Sequence, residues 1–406
     1  MPASIVIKKE REKPIRNQHP WIFSGAIEEV RGNPTPGEIV TVLSHKGDFL
    51  ARGFWNAKSQ IQVRILTWQD EPIDEDWWRR MLKRAIDART LENWRQRNQR
   101  DPYGYRVINA ESDYIPGLIV DRYGDWLVLQ ALTLHIDQQK QNIARLLSEI
   151  FAALGIPIKG VYERSDVDIR KKEGLEQAQG LLLGEEPPKL IPMKKETLTR
   201  MVNVRKGHKT GYYLDQLHNQ DFLSDFLIQA GIFEEARLLN LFSYTGGFGL
   251  GSGGYVVNVD ASREVLELAE NTYSLNDFTP GEVEFIQGDV FDYLRDIAAE
   301  GQQFDVVVCD PPKFAQNAQQ VEKAARGYKD LNLNSFRVIK PGGYLMTFSC
   351  SGAVSRDLFQ KIVFGALADS GRQAQIIKHL GAGEDHPIAL TFPEGEYLKG
   401  LLLRVY

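Results

Sequence analysis

The sequence predicts an α/β protein: a doubly wound, mostly parallel sheet preceded by two smaller units. Three observations support this. From Ala236 onward, short apolar runs alternate with helical patterns, as parallel strands and their covering helices do. Several of these runs end in acids or small polar residues, at Asp260, Asp289, Asp310 and Ser349-Cys350-Ser351. Before Gly184 the runs are shorter and separated by tight Pro/Gly turns, the pattern of a β-rich unit followed by an α+β unit.

At 406 residues the chain has room for two or three domains. A hydrophobic content of 43% and a charged content of 25% are ordinary for a soluble globular chain. No apolar run reaches the ~18 residues of a membrane span, and the N-terminus has no signal-peptide core. Two cysteines cannot build a disulfide framework or a cysteine-based zinc site. A cytoplasmic protein with no membrane partner is expected. The net charge is -5, yet residues 1–64 hold ten Lys/Arg against six Asp/Glu. A basic module joined to a more acidic body is the simplest reading.

Strands are predicted in the first unit (1–68) at Ser4–Ile7, Ile27–Val30, Glu38–Leu43, Phe49–Phe54 and Gln60–Leu66. Lys8, Lys9, Arg11, Lys13 and Arg16 precede His19-Pro20-Trp21-Ile22-Phe23-Ser24-Gly25. Basic residues beside aromatics suit RNA, although at least one of Trp21 and Phe23 is expected in the core.

The second unit (72–185) opens with acids Asp74, Glu75 and Asp76 in the first turn of a helix. Trp77, Trp78, Met81, Leu82, Ala85 and Ile86 mark its buried face, and Arg79, Arg80, Arg84 and Arg89 read as solvated. Val107–Ala110, Leu118–Asp121 and Trp126–Leu132 read as an antiparallel meander. A helix over Gln138–Leu154 and a strand near Val161–Arg164 follow. Arg164-Ser165-Asp166 and Arg170 to Gly174 read as charged loops.

The third unit (186–406) begins with a Pro187-Pro188 linker or edge hairpin and a polar, glycine-punctuated stretch from Lys206 to Gln216. Such a turn can close over a ligand of the following domain, which makes Lys209, Asp215 and Gln216 candidates. A helix over Asn219–Gln229 leads into strands ending at Phe242, Val259, Gln287, Val308 and Ser349, with helices including Ser262–Asn276 and Ala318–Val338. Lys399–Tyr406 reads as a late antiparallel strand.

Ligands of parallel sheets sit outside the carboxyl ends of the strands. The first strand runs into Phe242-Ser243-Tyr244-Thr245-Gly246-Gly247, and the second ends at Asp260-Ala261. Gly249, Gly251 and Gly254 match G-x-G-x-x-G. However, they run straight into the next strand, and Asp260 follows only six positions later, which rules out the dinucleotide fingerprint. The turn and the acid look instead like the first two motifs of a class I S-adenosylmethionine methyltransferase. Phe242, Ser243, Tyr244, Gly246, Asp260, Ala261, Asp289, Val290 and Asp310 are the candidate cofactor contacts, with Asp260 on the ribose and Asp289 near the adenine.

Asp310-Pro311-Pro312-Lys313-Phe314 and Ser349-Cys350-Ser351-Gly352 end neighbouring strands. Cys350, at a strand tip, is placed for nucleophilic work, and Cys309, inside its strand, is assigned to packing. Together they favour methyl transfer to carbon 5 of a pyrimidine, a carbon that becomes nucleophilic only after a thiolate adds to carbon 6. Methylation of an exocyclic amine needs no cysteine and usually places an aromatic where Lys313 stands.

The chain resembles the bacterial ribosomal RNA large-subunit cytosine-5 methyltransferases that carry an N-terminal PUA-like domain. The motifs that carry the likeness run in order along nearly the whole length. They are His19–Gly25, Ile115–Tyr123, Glu163–Val167, Lys209–Gln216, Phe242–Gly247, Asp310–Lys313, Phe348–Gly352 and Tyr397-Leu398-Lys399-Gly400. The resemblance implies a PUA-like domain, an α+β middle domain and a Rossmann-like catalytic domain. It also implies a cytosine of 23S ribosomal RNA as substrate, Cys350 as nucleophile and Asp310 as a contact to the base. Lys209, Asp215, Gln216 and Lys313 are candidate substrate contacts. Ribosomal RNA is the expected partner, and a homodimer is carried as a further expectation.

Two departures from the family pattern stand out. Leu217 and Gln220 occupy positions where arginines are expected. The crossover from Ser243 to Gly254 has only twelve residues, six of them glycine, so its helix is expected to be short or distorted. Methylation of another RNA atom with the same cofactor, and an RNA-binding or assembly protein that has lost catalysis, are the alternative readings.

Overall fold

The computed structural model describes residues 3–89, 104–195, 197–278 and 281–406, and every residue singled out above lies among them. The chain forms two compact units. One comprises residues 1–195, 202–213 and 385–395, and the other residues 196–201, 214–384 and 396–406.

The first unit holds two sheets. The six-stranded sheet has the order Trp21–Phe23, Ile61–Thr67, Phe49–Trp55, Ile39–Leu43, Ser4–Ile7, Ile27–Arg31. Its buried face gathers Ile5, Ile7, Ile22, Val40, Val42, Val63 and Ile65. The Trp21–Phe23 strand was not anticipated. Pro20 precedes it, and three residues are too few to show an alternating pattern. Ile22 is its buried residue, Trp21 is half-buried and Phe23 is 48% exposed, so neither aromatic is in the core.

The five-stranded sheet contains the expected antiparallel meander, Gly104–Asn109, Leu118–Tyr123 and Trp126–Ala131. Helix Leu134–Ala153, which starts a turn earlier than expected, then crosses over to Gly160–Ser165, parallel to Trp126–Ala131. The six residues expected to form the buried face of helix Glu75–Arg89 are all buried.

Three charged segments differ from expectation. Arg89 is buried, not solvated: it forms a two-pronged pair with Asp113 and donates to the Asp385 carbonyl. Arg164 lies on a strand, is buried, and donates to Asp166 and to the Val204 and Gly207 carbonyls. Arg170 donates to the Ala131 and Glu176 carbonyls, and the buried Glu173 accepts from Asn56, Ser59 and Arg64. A buried charge is tolerated when it is paired and hydrogen-bonded, and single-sequence patterning does not reveal the partner.

The second unit is a seven-stranded sheet. Its strands are β1 (Leu238–Leu241), β2 (Val256–Asp260), β3 (Val283–Gln287), β4 (Phe304–Cys309), β5 (Ile339–Ser349), β6 (Ala374–Gly381) and β7 (Lys399–Val405), in the order β3-β2-β1-β4-β5-β7-β6. Strands β1 to β5 are parallel. Strand β7 runs antiparallel between β5 and β6, as expected for the terminal run. Its helices are α1 (Leu217–Gln229), α2 (Arg263–Ser274), α3 (Val290–Ala299), α4 (Val321–Arg337) and α5 (Arg356–Ser370). Leu239, Leu241, Val257, Val259, Val307 and Cys309 pack on one face. Leu238, Val256, Val306, Val308, Met346 and Phe348 pack on the other. Cover on both faces is why these strands read as unbroken apolar runs.

Candidate active site

The strand order reverses between β1 and β4, which is where an open parallel sheet leaves a crevice at its carboxyl ends. The turn after β1 is tightly wound. Phe242, Tyr244 and Gly246 all have left-handed φ values, 56°, 49° and 76°. Two of them are not glycine, and such conformations persist only where the surroundings enforce them. Part of that enforcement comes from β2. Asp260 accepts the Tyr244 amide at 2.9 Å through one oxygen and the Ser262 amide at 3.0 Å through the other. Each oxygen keeps a further lone pair for a hydroxyl. Ser243 is buried, and its Oγ has no partner among the described residues.

The crossover after this turn contains no α-helix. A single 3-10 turn, Gly249–Gly251, is all the helix between β1 and β2, in line with the distortion expected from the glycines. The structure shows what the glycines permit. A Cβ on Gly246 would stand 2.6 Å from the Tyr273 ring, and one on Gly249 2.5 Å from the Tyr273 hydroxyl. That hydroxyl donates to the Gly246 carbonyl at 2.7 Å. A missing helix is thus replaced by close packing of bare backbone on Tyr273.

Asp289 follows β3 and caps α3, its Oδ1 accepting the Phe291 and Asp292 amides at 2.8 and 3.1 Å. It is exposed and Val290 behind it is buried, while Ala261 after β2 is exposed. Asp310, just past β4, accepts from the Gln216 amide nitrogen at 3.0 Å. Gln216 in turn accepts from Asn219 at 2.6 Å, and Asp215 accepts the Tyr397 hydroxyl at 2.6 Å. Asp215 and Gln216 are therefore buried beside the strand ends, whereas Lys209 belongs to the first compact unit, its ammonium 4.5 Å from the centre of the Tyr213 ring. Leu217 and Gln220 are buried in the first turn of α1, so the arginines missing there leave packing, not an open gap.

Cys350 lies one residue past β5, half-buried, and its thiol donates to the Pro311 carbonyl at 3.7 Å. That contact joins the Ser-Cys-Ser motif to Asp-Pro-Pro. The flanking serines are structural: Ser351 Oγ accepts the Ala315 amide and bonds the Tyr328 hydroxyl, and Ser349 is fully buried. Cys309 is fully buried, as assigned from sequence, and burial together with the adjoining Asp310 charge pushes its thiol far up. Lys313 is exposed. Of the two aromatics near these motifs, Phe348 is fully buried against Phe248 and Gly400 and cannot stack on a base, while Phe314 is half-buried beside Tyr328.

One residue at this rim belongs to a sequence motif that carried no assigned role. Lys399 is 4% exposed, and its ammonium donates to the Ser351 carbonyl at 2.6 Å and to the Val354 carbonyl. Burial lowers its proton affinity to about 8.

Comparison with known proteins agrees with this geometry. Residues 5–68 match a PUA-like domain model and residues 237–383 a methyltransferase domain model. The chain is 43% identical over 409 residues to the ribosomal RNA large subunit methyltransferase I of Aeromonas salmonicida, covering 100% of both chains. It is 41% identical over 414 residues to the protein of that name from Escherichia coli O157:H7, again covering 100% of both. The chain belongs to this family of ribosomal RNA large subunit methyltransferases. The family relation bears out the resemblance drawn from the motifs, and with it a methyltransferase activity. The fold is matched by a structure of SMU.776 complexed with SAH, at a TM-score of 0.82 and 19% identity with full coverage of both chains. A proposed SAM-dependent methyltransferase from Streptococcus mutans matches at a TM-score of 0.81 and 18% identity, also with full coverage of both. No helix among the described residues is long and apolar enough to cross a membrane.

Proposed function

We propose that this family member methylates carbon 5 of a cytosine in 23S ribosomal RNA through an adduct on Cys350. The observation that carries the reading is the Cys350–Pro311 contact, which sets a half-buried thiol beside Asp310 at the carboxyl ends of adjacent strands.

The residues present suit S-adenosylmethionine. The unpartnered Ser243 Oγ and the spare lone pairs of Asp260 offer hydrogen bonds to its polar groups, with Phe242, Tyr244, Gly246 and Ala261 around them. Asp289 and Val290 are assigned to the adenine side, and Asp310 to the side facing the base. When bound, this cofactor supplies an electrophilic methyl group. The protein's own part is to hold the target. The cytosine leaves its stack to enter the site, as enzymes acting on bases require. Asp310, held by Gln216, holds its Watson–Crick edge. The Cys350 thiolate adds to carbon 6, which makes carbon 5 nucleophilic, and leaves after the carbon 5 proton is removed. Lys313 and Lys209 are assigned to RNA phosphates.

In the helical turn that follows the Ser4–Ile7 strand, Lys9, Arg11 and Lys13 are exposed and form no ion pair among the described residues, which supports an RNA-holding role. The work divides among modules 1–68, 72–185 and 186–406, in a cytoplasmic protein that acts on RNA and self-associates as a homodimer.

RNA carrying 5-fluorocytosine tests the mechanism, because fluorine at carbon 5 blocks the final proton loss. Covalent attachment to the enzyme is expected, and to Cys350. Turnover without any trapped complex would favour methylation of a nucleophilic nitrogen instead.

A further inference from the structure

The Tyr397-Leu398-Lys399-Gly400 motif reaches the rim from β7. Tyr397 holds Asp215, but Lys399 has no part in the reading above. Its setting is unusual. Lys399 pairs with Ser349 across β5 and β7, so its side chain starts beside the residue preceding Cys350. Its ammonium then bonds two carbonyls, Ser351 and Val354, of the loop that follows Cys350. Those bonds use two of its three donors. Among the described residues no carboxylate forms an ion pair with it, since the nearby Glu396 pairs with Arg356. A buried ammonium without a counter-ion is costly and normally loses its charge or finds an anion.

We propose that Lys399 is a positioning residue whose counter-ion is the Cys350 thiolate: it shapes the Cys350–Val354 loop and supplies the positive charge that keeps the sulfur ionised. The inference rests on the reading of Cys350 as nucleophile. In the resting thiol, the S–H bond is directed at the Pro311 carbonyl. When that proton leaves to solvent, the carbonyl no longer attracts the sulfur, while the ammonium does. Lys399 keeps its own proton throughout.

The charge balance around the pair is consistent with this. Burial is the main influence lowering the proton affinity of Lys399, and Cys350 is the largest influence opposing it, ahead of Glu396. Arg356 and Lys313 add positive charge. From α4, Tyr328 also faces Cys350, and its own proton is held more tightly because of burial. The ammonium is present below about 8. The ion pair therefore exists from the titration of Cys350 up to that pH and is lost above it.

The test is alkylation of Cys350 by iodoacetamide across a pH series, in a Cys309→Ala background that leaves one thiol. In the otherwise unchanged protein the midpoint should fall at least about one unit below the ~8.5 of an ordinary thiol. Lys399→Met should move it up by about one unit or more, a ~tenfold loss of reactivity at neutral pH. Lys399→Arg, which keeps the charge, should restore the low midpoint. A midpoint at or above the ordinary value before any change at Lys399 overturns the proposal. So does a folded Lys399→Met protein with an unshifted midpoint. If the Met variant does not fold, Lys399→Gln, which keeps a donor for the loop carbonyls, reads the same shift. Alkylation needs no RNA, so this outcome is separate from that of the nucleophile assignment, which falls if Cys350→Ala still methylates normally.

Discussion

Cys309 and Cys350 sit at the ends of adjacent parallel strands, yet their chemistry has little in common. Cys309 is the last residue of β4, fully buried, its thiol held protonated by an apolar surround and a neighbouring carboxylate. Cys350 is the first residue after β5, half-buried, in a loop braced by a lysine. Cys309 stands opposite Thr347, three residues before Cys350, and that displacement along the strand separates a packed thiol from one at the sheet's rim. Inside the sheet, both faces are covered by helices. Past the carboxyl ends the chain must turn, exposing side chains and backbone amides to a ligand.

The largest expected effect tests that difference directly. Cys350→Ala should lower methylation by ~10³-fold or more, as loss of a nucleophile generally does. Cys309→Ala should retain activity and lose only stability. Equal activity of both variants, in a radiolabelled methyl-transfer assay, would put the two cysteines in one class and end the covalent reading.

A second pair compares the two ends of the sheet. Asp260, at the carboxyl end of β2, holds the Tyr244 turn, and Asp305, at the amino end of β4, pairs with Lys340 and the Arg237 amide. Asp260→Ala should weaken S-adenosylmethionine binding by ~10–100-fold, the worth of charge-assisted hydrogen bonds. Asp305→Ala should leave the affinity unchanged. Calorimetry decides, and tight binding by the Asp260 variant would remove that residue from the cofactor site.

Glycines sharpen the comparison further. Gly249→Ala forces a methyl group to within 2.5 Å of Tyr273 and Val256 atoms. Overpacking of this kind costs ~1–3 kcal/mol, readable in urea unfolding. Gly25→Ala, with nothing within 4 Å, should change stability by less than ~0.5 kcal/mol. A neutral Gly249→Ala would mean that the short crossover has slack to admit a side chain.

The smallest effect concerns the front sheet. Replacing Lys9, Arg11 and Lys13 together by Gln should weaken RNA binding several-fold and flatten its salt dependence, by ~0.7–0.9 in log–log slope for each phosphate that is no longer neutralised. Arg79 and Arg145 are half-buried and both are tied to Glu75 and Glu149. Their replacement should leave the slope as it was. A slope unaffected by the front triad would leave that sheet a purely structural role.

Read from residues alone, the catalytic sheet is largely legible. Strands buried on both faces produce long apolar runs, and the acids and small residues that end them mark the ligand side. Leu238–Asp260 gave the turn, the acid and the missing crossover helix from glycine content. Strand β6 and helices α3 and α5 escape a reading of this kind. Strand β6 is an edge strand with five of its eight residues exposed, so it has no apolar face to read. The charged residues are where reading failed. Arg89, Arg164 and Arg170 look solvated in sequence because their partners, Asp113, the Val204 carbonyl and the Ala131 carbonyl, are 24 to 40 positions away.

What the sequence determined by itself is therefore what local periodicity and backbone chemistry encode: the alternation of strands and helices, one cysteine at a strand tip and a packed one inside the neighbouring strand, and a glycine-rich crossover too short for a helix. What only the tertiary structure decided is which polar groups meet. Gln216 reaches Asp310 across 94 positions, Tyr397 reaches Asp215 across 182, and Lys399 braces the Cys350 loop from the last strand. No local rule links such residues. The packing of the sheet brings them together, and once buried each must find the partner that offsets its lost hydration.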